Sequence, residues 1–425
     1  MTMTITDIER AREMLGGHIV NTPLLAAAKL SEMTGAEIHI KLETLQATNS
    51  FKDRGSFVKL ASLDDRSRRR GVIAMSAGNH AQAVAYHTRR MDIPATIVMP
   101  KTTPFNKVKR TRAHGANIIL AGETLDDGRI VAEKMIAKRG LTLIHPYDDD
   151  RIIVGQGTIA LEMLEQKPDL DMLIMPIGGG GLIGGNALAA KTLRPDMRII
   201  GVEAELYPSM YCALRGETAQ CGGATLAEGI AVKTVSERTV SLCRDYVDEV
   251  QLVGETAIEQ AVMSLLCQEK IVVEGAGAVG LAAMLVNPER FRGRKVGLIL
   301  CGGNIDPRLL ASVIHRELKR ARSIVSLRIE IEDRPGILGQ ISTLLGQAGA
   351  NILEVWHRRM GLELSAKRAN LDVMIETRGD NHMRDIIALI EAGGFVTRVI
   401  GAPDDEAVNG KANPVISRQP AGKPD

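Results

Sequence analysis

One lysine stands out among the residues that could do chemistry. In "QATNSFKDRG", residues 46–55, Lys52 follows Asn-Ser-Phe and precedes Asp-Arg-Gly, at what reads as the start of a helix. Lysines usually lie on exposed helix faces among other charges. This one is flanked by Ser50 and Phe51 and followed by Gly55 and Phe57. Either it is a surface lysine near a helix N-terminus, or a pocket holds it, lowers its pKa and makes it a nucleophile or base. A second group is "GGGG", Gly178, Gly179, Gly180 and Gly181, between a strand and a helix. Successive backbone N–H groups there can curl around one phosphate, with the helix dipole aimed at it. A third is "SAGNHAQAVAY" (76–86), a strand end turning into a helix. Ser76, Gly78 and Asn79 can offer N–H groups and small polar side chains to a carboxylate, although a plain N-cap uses the same residues.

The glycines also support a rival. Gly179, Gly181 and Gly184 spell GxGxxG after a strand, and Glu203 ends the next strand, which is formally the dinucleotide fingerprint. A second GxGxxG falls at Gly275, Gly277 and Gly280, so in a chain with 42 glycines the pattern excludes little. His80 and His87 lie seven apart with no third ligand spaced for a metal, and read as structural or solvent-facing. The basic stretches "DRSRRRG" (65–71) and "KVKRTRAHG" (107–115) read as solvated faces, because a net charge of +2 gives no support for a polyanion partner. Aromatics make up only 3% of the chain, which argues against base-stacking platforms.

These residues need elements to position them, and 425 residues suffice for two or three domains. From about 35 to 320, short apolar runs alternate with stretches of helical period. Strand candidates are 37–43, 71–76, 95–100, 116–121, 171–177, 197–204 and 295–303, with helices such as 79–91 and 156–166 between them. The alternation predicts an α/β fold of parallel sheets covered by helices, with ligands at the carboxyl ends of strands. The uncharged run at 172–190 contains a proline and six glycines, and strand–loop–helix suits it better than a membrane span. After about 320 a second pattern begins: strand 324–332, helix 337–349, strands 351–359 and 370–377, helix 382–394 and strand 395–400. That βαββαβ order is ferredoxin-like. Residues 401–425 read as a disordered tail. Five cysteines without CxxC spacing and an N-terminus without an apolar signal core point to the cytoplasm.

Taken in order, "SFKDRG", "SAGNHAQAVA", "HPYDD…GQGT", "PIGGGGLIGG", "VVEGAGA" and "CGGNID" make roughly residues 15–315 resemble the fold-type-II pyridoxal-phosphate family, specifically the threonine/serine dehydratases. The resemblance implies a two-subdomain, tryptophan-synthase-β-like catalytic domain at 1–318, with a small subdomain at about 45–150 inserted in the larger one. It implies pyridoxal 5'-phosphate held covalently by Lys52, with Phe51 beside the ring and Asn79 on the ring hydroxyl. The glycines 178–181 would cradle the phosphate, and Cys301 would meet the pyridine nitrogen. Ser76, Ala77, Gly78 and His80 resemble the loop that grips the substrate carboxylate. The implied reaction removes the β-hydroxyl and then the amine, turning L-threonine into 2-oxobutanoate, or L-serine into pyruvate, with ammonia.

Three positions depart from relatives. Serine is common at position 301 in threonine dehydratases and cysteine in the serine dehydratase branch. Serine racemases carry a second serine where Ala77 stands, and alanine cannot move a proton, which favours a one-base dehydratase. Glu203 matches one group of a cation site seen in some relatives, but Ser209 replaces an aspartate there. Through "DRPGIL" and "GANI", the C-terminal unit, 325–400 after a linker at 319–324, resembles an ACT domain. That resemblance implies a small-molecule effector near Asp333, Arg334, Pro335, Gly336 and Asn351, an amino acid or a nucleotide, and a dimer or tetramer. A hydroxyaspartate dehydratase, an NAD-binding oxidoreductase and a catalytically dead effector-binding protein remain as alternatives.

Overall fold

Aliphatic runs bounded by glycine, proline or polar turns become the strands of three sheets. In the computed structural model, which describes residues 3–359 and 368–400, the first strands are β1 (Leu24–Ala26), β2 (Glu37–Leu42), β3 (Val72–Met75), β4 (Ala95–Met99) and β5 (Asn117–Leu120). They are followed by β6 (Thr142–Leu143), β7 (Met172–Pro176), β8 (Arg198–Ala204), β9 (Glu249–Val253) and β10 (Lys295–Leu300). The last four are β11 (Ile324–Glu332), β12 (Asn351–Arg358), β13 (Arg368–Glu376) and β14 (Val396–Val399). The expected tail, 401–425, lies outside the described residues.

The chain divides into two compact units, with the boundary between Ile305 and Asp306. The first unit holds two sheets. One has the order β1-β2-β10-β7-β8-β9, parallel except for β1. The other, β5-β4-β3-β6, is parallel throughout. Every residue of β7, "MLIMP", is buried, as a parallel strand covered on both faces requires. The smaller sheet closes over Val72, Ala74, Val84, Ile97, Met99, Ile144 and Ile152.

Three strands escaped the sequence reading, each for a physical reason. β1 and β6 are three and two residues long, too short to show a period. β9, "EVQLV", hides its strand character behind Glu249 and Gln251, which are buried because Glu249 is clasped by Arg290 at 2.9 Å on both oxygens and by Arg198 at 2.8 Å. The run at 172–190 forms β7, the glycine loop and the helix Gly181–Leu193. Among the described residues, no helix is long and apolar enough to cross a membrane.

The second unit has the predicted βαββαβ order, with helices Ile337–Gln347 and Asp380–Ala392 and an antiparallel sheet β12-β13-β11-β14. Along β11 burial alternates: Val325, Leu327, Ile329 and Ile331 pack against Ile341, Leu345, Ile386 and Ile390, while the intervening residues face away.

Candidate active site

The site is assembled at the carboxyl ends of β3, β7 and β10, where parallel strands release the chain into loops. Lys52 is the first residue of the helix Lys52–Ala61. Its start is stitched to the end of β10: Phe51 N donates to Cys301 O at 2.9 Å, and Ser50 bridges Gly302. Lys52 Nζ donates to Pro146 O at 2.7 Å and lies 4.9 Å from the Phe51 ring centroid. Desolvation pulls the Lys52 amine down to about 8, against the opposing pull of Cys301 and Glu274. At neutral pH such an amine gives up its proton far more readily than a surface lysine.

Buried charge anchors the helix that carries Lys52. Arg54 donates to both oxygens of Glu43, at 2.8 and 2.7 Å, and to both of Glu162, at 2.6 and 2.8 Å. Lys41 completes the cluster, with Nζ 2.6 Å from Glu162. Two cations face two carboxylates, so the cluster is neutral as a whole. Asp53 accepts from Thr48 N and Thr48 Oγ1, at 2.9 and 2.7 Å. Gly55 and Gly155 let this helix meet the helix Asp150–Gln166 at backbone distance: a Cβ on Gly155 would stand 2.7 Å from Gly55 Cα.

The glycine loop follows β7 and opens the helix Gly181–Leu193. Gly180 takes φ +88°, a left-handed conformation that disfavours side chains. A Cβ on Gly179 would fall within the Tyr147 ring. Among the described residues, no acceptor takes the backbone N–H groups of Gly178 to Gly181. Unclaimed donors at a helix start form an anion cradle. Pro146 and Tyr147, adjacent in the chain, tie this cradle to Lys52.

After β3, Gly78 N donates to Ser76 Oγ at 3.2 Å, and Ala77 lies between them on the partly exposed turn. His80 is buried, and its Nε2 donates to Ile144 O at 2.8 Å. Burial and the nearby Lys52 charge pull His80 down to about 3, so its ring is neutral and committed to the backbone. Asn79 Nδ2 donates to Glu274 Oε1 at 2.7 Å, and Asn79 Oδ1 accepts from Asn304 Nδ2 at 2.9 Å. Cys301 is buried, and desolvation raises its thiol pKa, so it stays protonated and neutral.

Not every residue named from sequence joins this site. Both Glu203 oxygens accept from a helix start, Met210 N and Tyr211 N, each at 2.8 Å. Burial pushes its carboxyl up to about 8. Among the described residues, no cluster of three His, Cys, Asp or Glu side chains forms a metal cage. Asp333, Arg334, Pro335, Gly336 and Asn351 are exposed in the second unit. Asp333 meets Arg359 at 3.2 Å, Arg334 meets Glu332 at 3.3 Å, and Asn351 Nδ2 donates to Glu376 at 3.3 Å. Gly336, at φ +91°, precedes the helix Ile337–Gln347.

Residues 15–302 match the family model of the pyridoxal-phosphate dependent enzymes. The chain belongs to that family. Residues 325–392 match the ACT domain model. The L-threonine ammonia-lyase of Thermotoga maritima is 41% identical over 94% of this chain and 100% of its own length. That of Geobacter sulfurreducens is 39% identical over 93% and 99%. Threonine deaminase isoform 2 from Solanum lycopersicum has a similar structure, with a TM-score of 0.69 and 35% identity over 73% of this chain and 86% of that one.

In this pyridoxal-phosphate enzyme the residues present fit the cofactor. The unclaimed N–H groups of the glycine loop suit its phosphate, and the desolvated Lys52 amine suits its aldehyde. A neutral Cys301 thiol would suit a ring nitrogen that takes a partner without a carboxylate's charge. The dinucleotide reading of Gly179, Gly181, Gly184 and Glu203 falls with the family match, and Glu203 has no oxygen unengaged to read a ribose. Sequence reasoning quoted "HPYDD", "VVEGAGA" and "CGGN" without assigning Pro146, Tyr147, Glu274 or Asn304. Their placement between strand ends was the available signal.

Proposed function

We propose that this chain is a threonine ammonia-lyase, releasing 2-oxobutanoate and ammonia from L-threonine and pyruvate and ammonia from L-serine. The observation that carries the reading is the Lys52 amine, desolvated beside a glycine cradle in a chain that aligns over 94% of its length with an L-threonine ammonia-lyase. When bound, pyridoxal phosphate supplies an electron sink for a carbanion at the substrate Cα. The protein does the rest. Lys52, once free, takes the Cα proton, and its lowered pKa suits it to that task. The turn from Ser76 to His80 holds the substrate carboxylate with backbone N–H groups at a helix start. Ala77 offers no second proton carrier, which favours elimination over racemisation. With the cofactor bound, Asn79 would hold the ring hydroxyl and Cys301 the ring nitrogen.

The ACT unit is read as the regulatory part, with a small molecule bound near Asp333–Gly336 and Asn351. The β12 edge, carrying exposed Leu353, Val355 and Trp356, supports pairing of ACT units in a homo-oligomer. Five free cysteines support a cytoplasmic setting.

A paired assay tests the reading: the absorption band of the bound cofactor, then 2-oxo acid release from L-threonine, L-serine and 3-hydroxyaspartate, for wild type and Lys52→Ala. Band and turnover are expected in the wild type and lost in the variant. A band without 2-oxo acid release would discard the lyase and keep the cofactor.

A further inference from the structure

Asn79 and its neighbours form a hydrogen-bonded chain with only one polarity. The Thr48 carbonyl can only accept, so the group of Asn304 facing it, at 2.7 Å, is the amide nitrogen. The same nitrogen donates its other hydrogen to Asn79 Oδ1 at 2.9 Å. Asn79 must therefore present Nδ2 to Glu274 Oε1, at 2.7 Å. Each amide orientation follows from the one before it, and a carboxylate ends the chain. Of the two Asn79 N–H groups, one is spent on Glu274 and one is left.

Glu274 is built into place. It stands at the N-cap position of the helix Gly275–Val286, with its side chain turned to Asn79 rather than to the helix, and its own N donates to Gly302 O at 3.1 Å. A Cβ on Gly302 would run into Glu274 Oε1 and stand 2.9 Å from Asn79 Nδ2. "VVEGAGA" and "CGGN" thus meet at one hydrogen bond: the first supplies the acceptor, and the second supplies the room and, through Asn304, the polarity.

We propose that Glu274 is a positioning residue for the cofactor ring, fixing the Asn79 amide so that a single N–H remains for the ring hydroxyl and coupling its own protonation state to that donor. The inference rests on the reading of Asn79 given above. Burial pushes the Glu274 carboxyl up to about 7, with Asn79, Lys107 and Lys52 pulling the other way and Glu228 adding to the rise. Lys107 is itself paired with Glu228, and Cys301, whose thiol burial keeps protonated, is a further titratable neighbour. A carboxylate one hydrogen bond from the ring hydroxyl disfavours negative charge on the ring oxygen. Protonating Glu274 removes that penalty and leaves Asn79 a better donor. As pH rises through about 7, the proton shared between ring oxygen and Lys52 nitrogen therefore shifts toward the oxygen.

The test is spectroscopic. Cofactor-loaded wild type, Glu274→Gln and Glu274→Asp are titrated from pH 6 to 9 while the long- and short-wavelength bands of the bound cofactor are recorded. Wild type is expected to lose long-wavelength absorbance through a transition near pH 7. Glu274→Gln should lose the transition and hold the acid-side ratio throughout, while Glu274→Asp, which keeps the charge, should retain a displaced one. A Glu274→Gln protein with full loading and the wild-type transition would overturn the proposal while leaving the cofactor site intact. A wild type with no cofactor band would remove the proposed function as well. Should Glu274→Gln not fold, Asn304→Ala reads the same chain from its other end. A displaced midpoint with unchanged circular dichroism supports the coupling, and an unmoved midpoint sinks it.

Discussion

The surroundings of Lys52 and the loop Asp333–Gly336 treat charge in opposite ways. Around Lys52, charged and polar groups are taken out of water and given obligatory partners: Arg54 on two carboxylates, Asn79 between Asn304 and Glu274, and the Lys52 amine itself on a carbonyl. In the second unit the loop Asp333–Gly336 carries its charges in solvent, paired across 3.2 and 3.3 Å at the surface. Desolvated groups cannot rearrange cheaply, so the first arrangement holds its geometry before any ligand arrives. Exposed pairs are worth little and can be exchanged for a ligand's groups. Burial fixes the geometry around Lys52, and exposure leaves the loop Asp333–Gly336 able to exchange its surface pairs.

Substitutions can break that contrast, and the largest effect falls on the amine. Lys52→Ala should lower 2-oxo acid release by at least the order of 10²–10⁴-fold typical of a lost acid–base group, because the covalent attachment goes with it. Comparable turnover in the variant would place the base elsewhere. Next comes the buried cluster. Glu162→Ala leaves Glu43 as the one carboxylate for two buried cations, Arg54 and Lys41, and should cost about 3–5 kcal/mol in denaturant unfolding; a loss no greater than that of a surface pair would mean water already reaches the cluster.

Gly179→Ala forces a methyl group into the Tyr147 ring and should weaken cofactor binding by about 1–3 kcal/mol, roughly 5- to 160-fold, in a titration of the apoprotein. The Lys52 pKa of about 8 sharpens the comparison by sign. The base must be unprotonated, so kcat should climb as pH approaches 8 from below and level off above it, falling up to about tenfold per unit on the acid side. A profile flat from pH 6 to 9 would contradict this. The smallest effect belongs to the second unit: Arg334→Ala should move stability by less than about 0.5 kcal/mol, because its partner Glu332 is equally exposed.

Much of this was legible in the chain. Lys52, the four glycines and the Ser76–His80 turn announce themselves, because local backbone demands for a helix start, a left-handed glycine or a strand end are written in adjacent residues. The ACT elements were found to within about two residues, since their apolar alternation is local too. Glu203 shows the limit. Its position at the end of a strand suggested a ribose or cation ligand, and only the fold shows both oxygens spent on Met210 and Tyr211.

By itself, then, the sequence determined which residues could do chemistry, which local elements carry them, and which family the chain belongs to. Only the tertiary structure decided their partners. Glu274 lies 195 residues from Asn79 in the chain, and Asn304 lies 225 from it. No local pattern encodes such distances. The three meet because the fold brings the end of β3 in the smaller sheet, the end of β10 in the larger one and the start of the helix Gly275–Val286 to one place, where the partner of each buried polar group is settled by whichever acceptor or donor stands opposite.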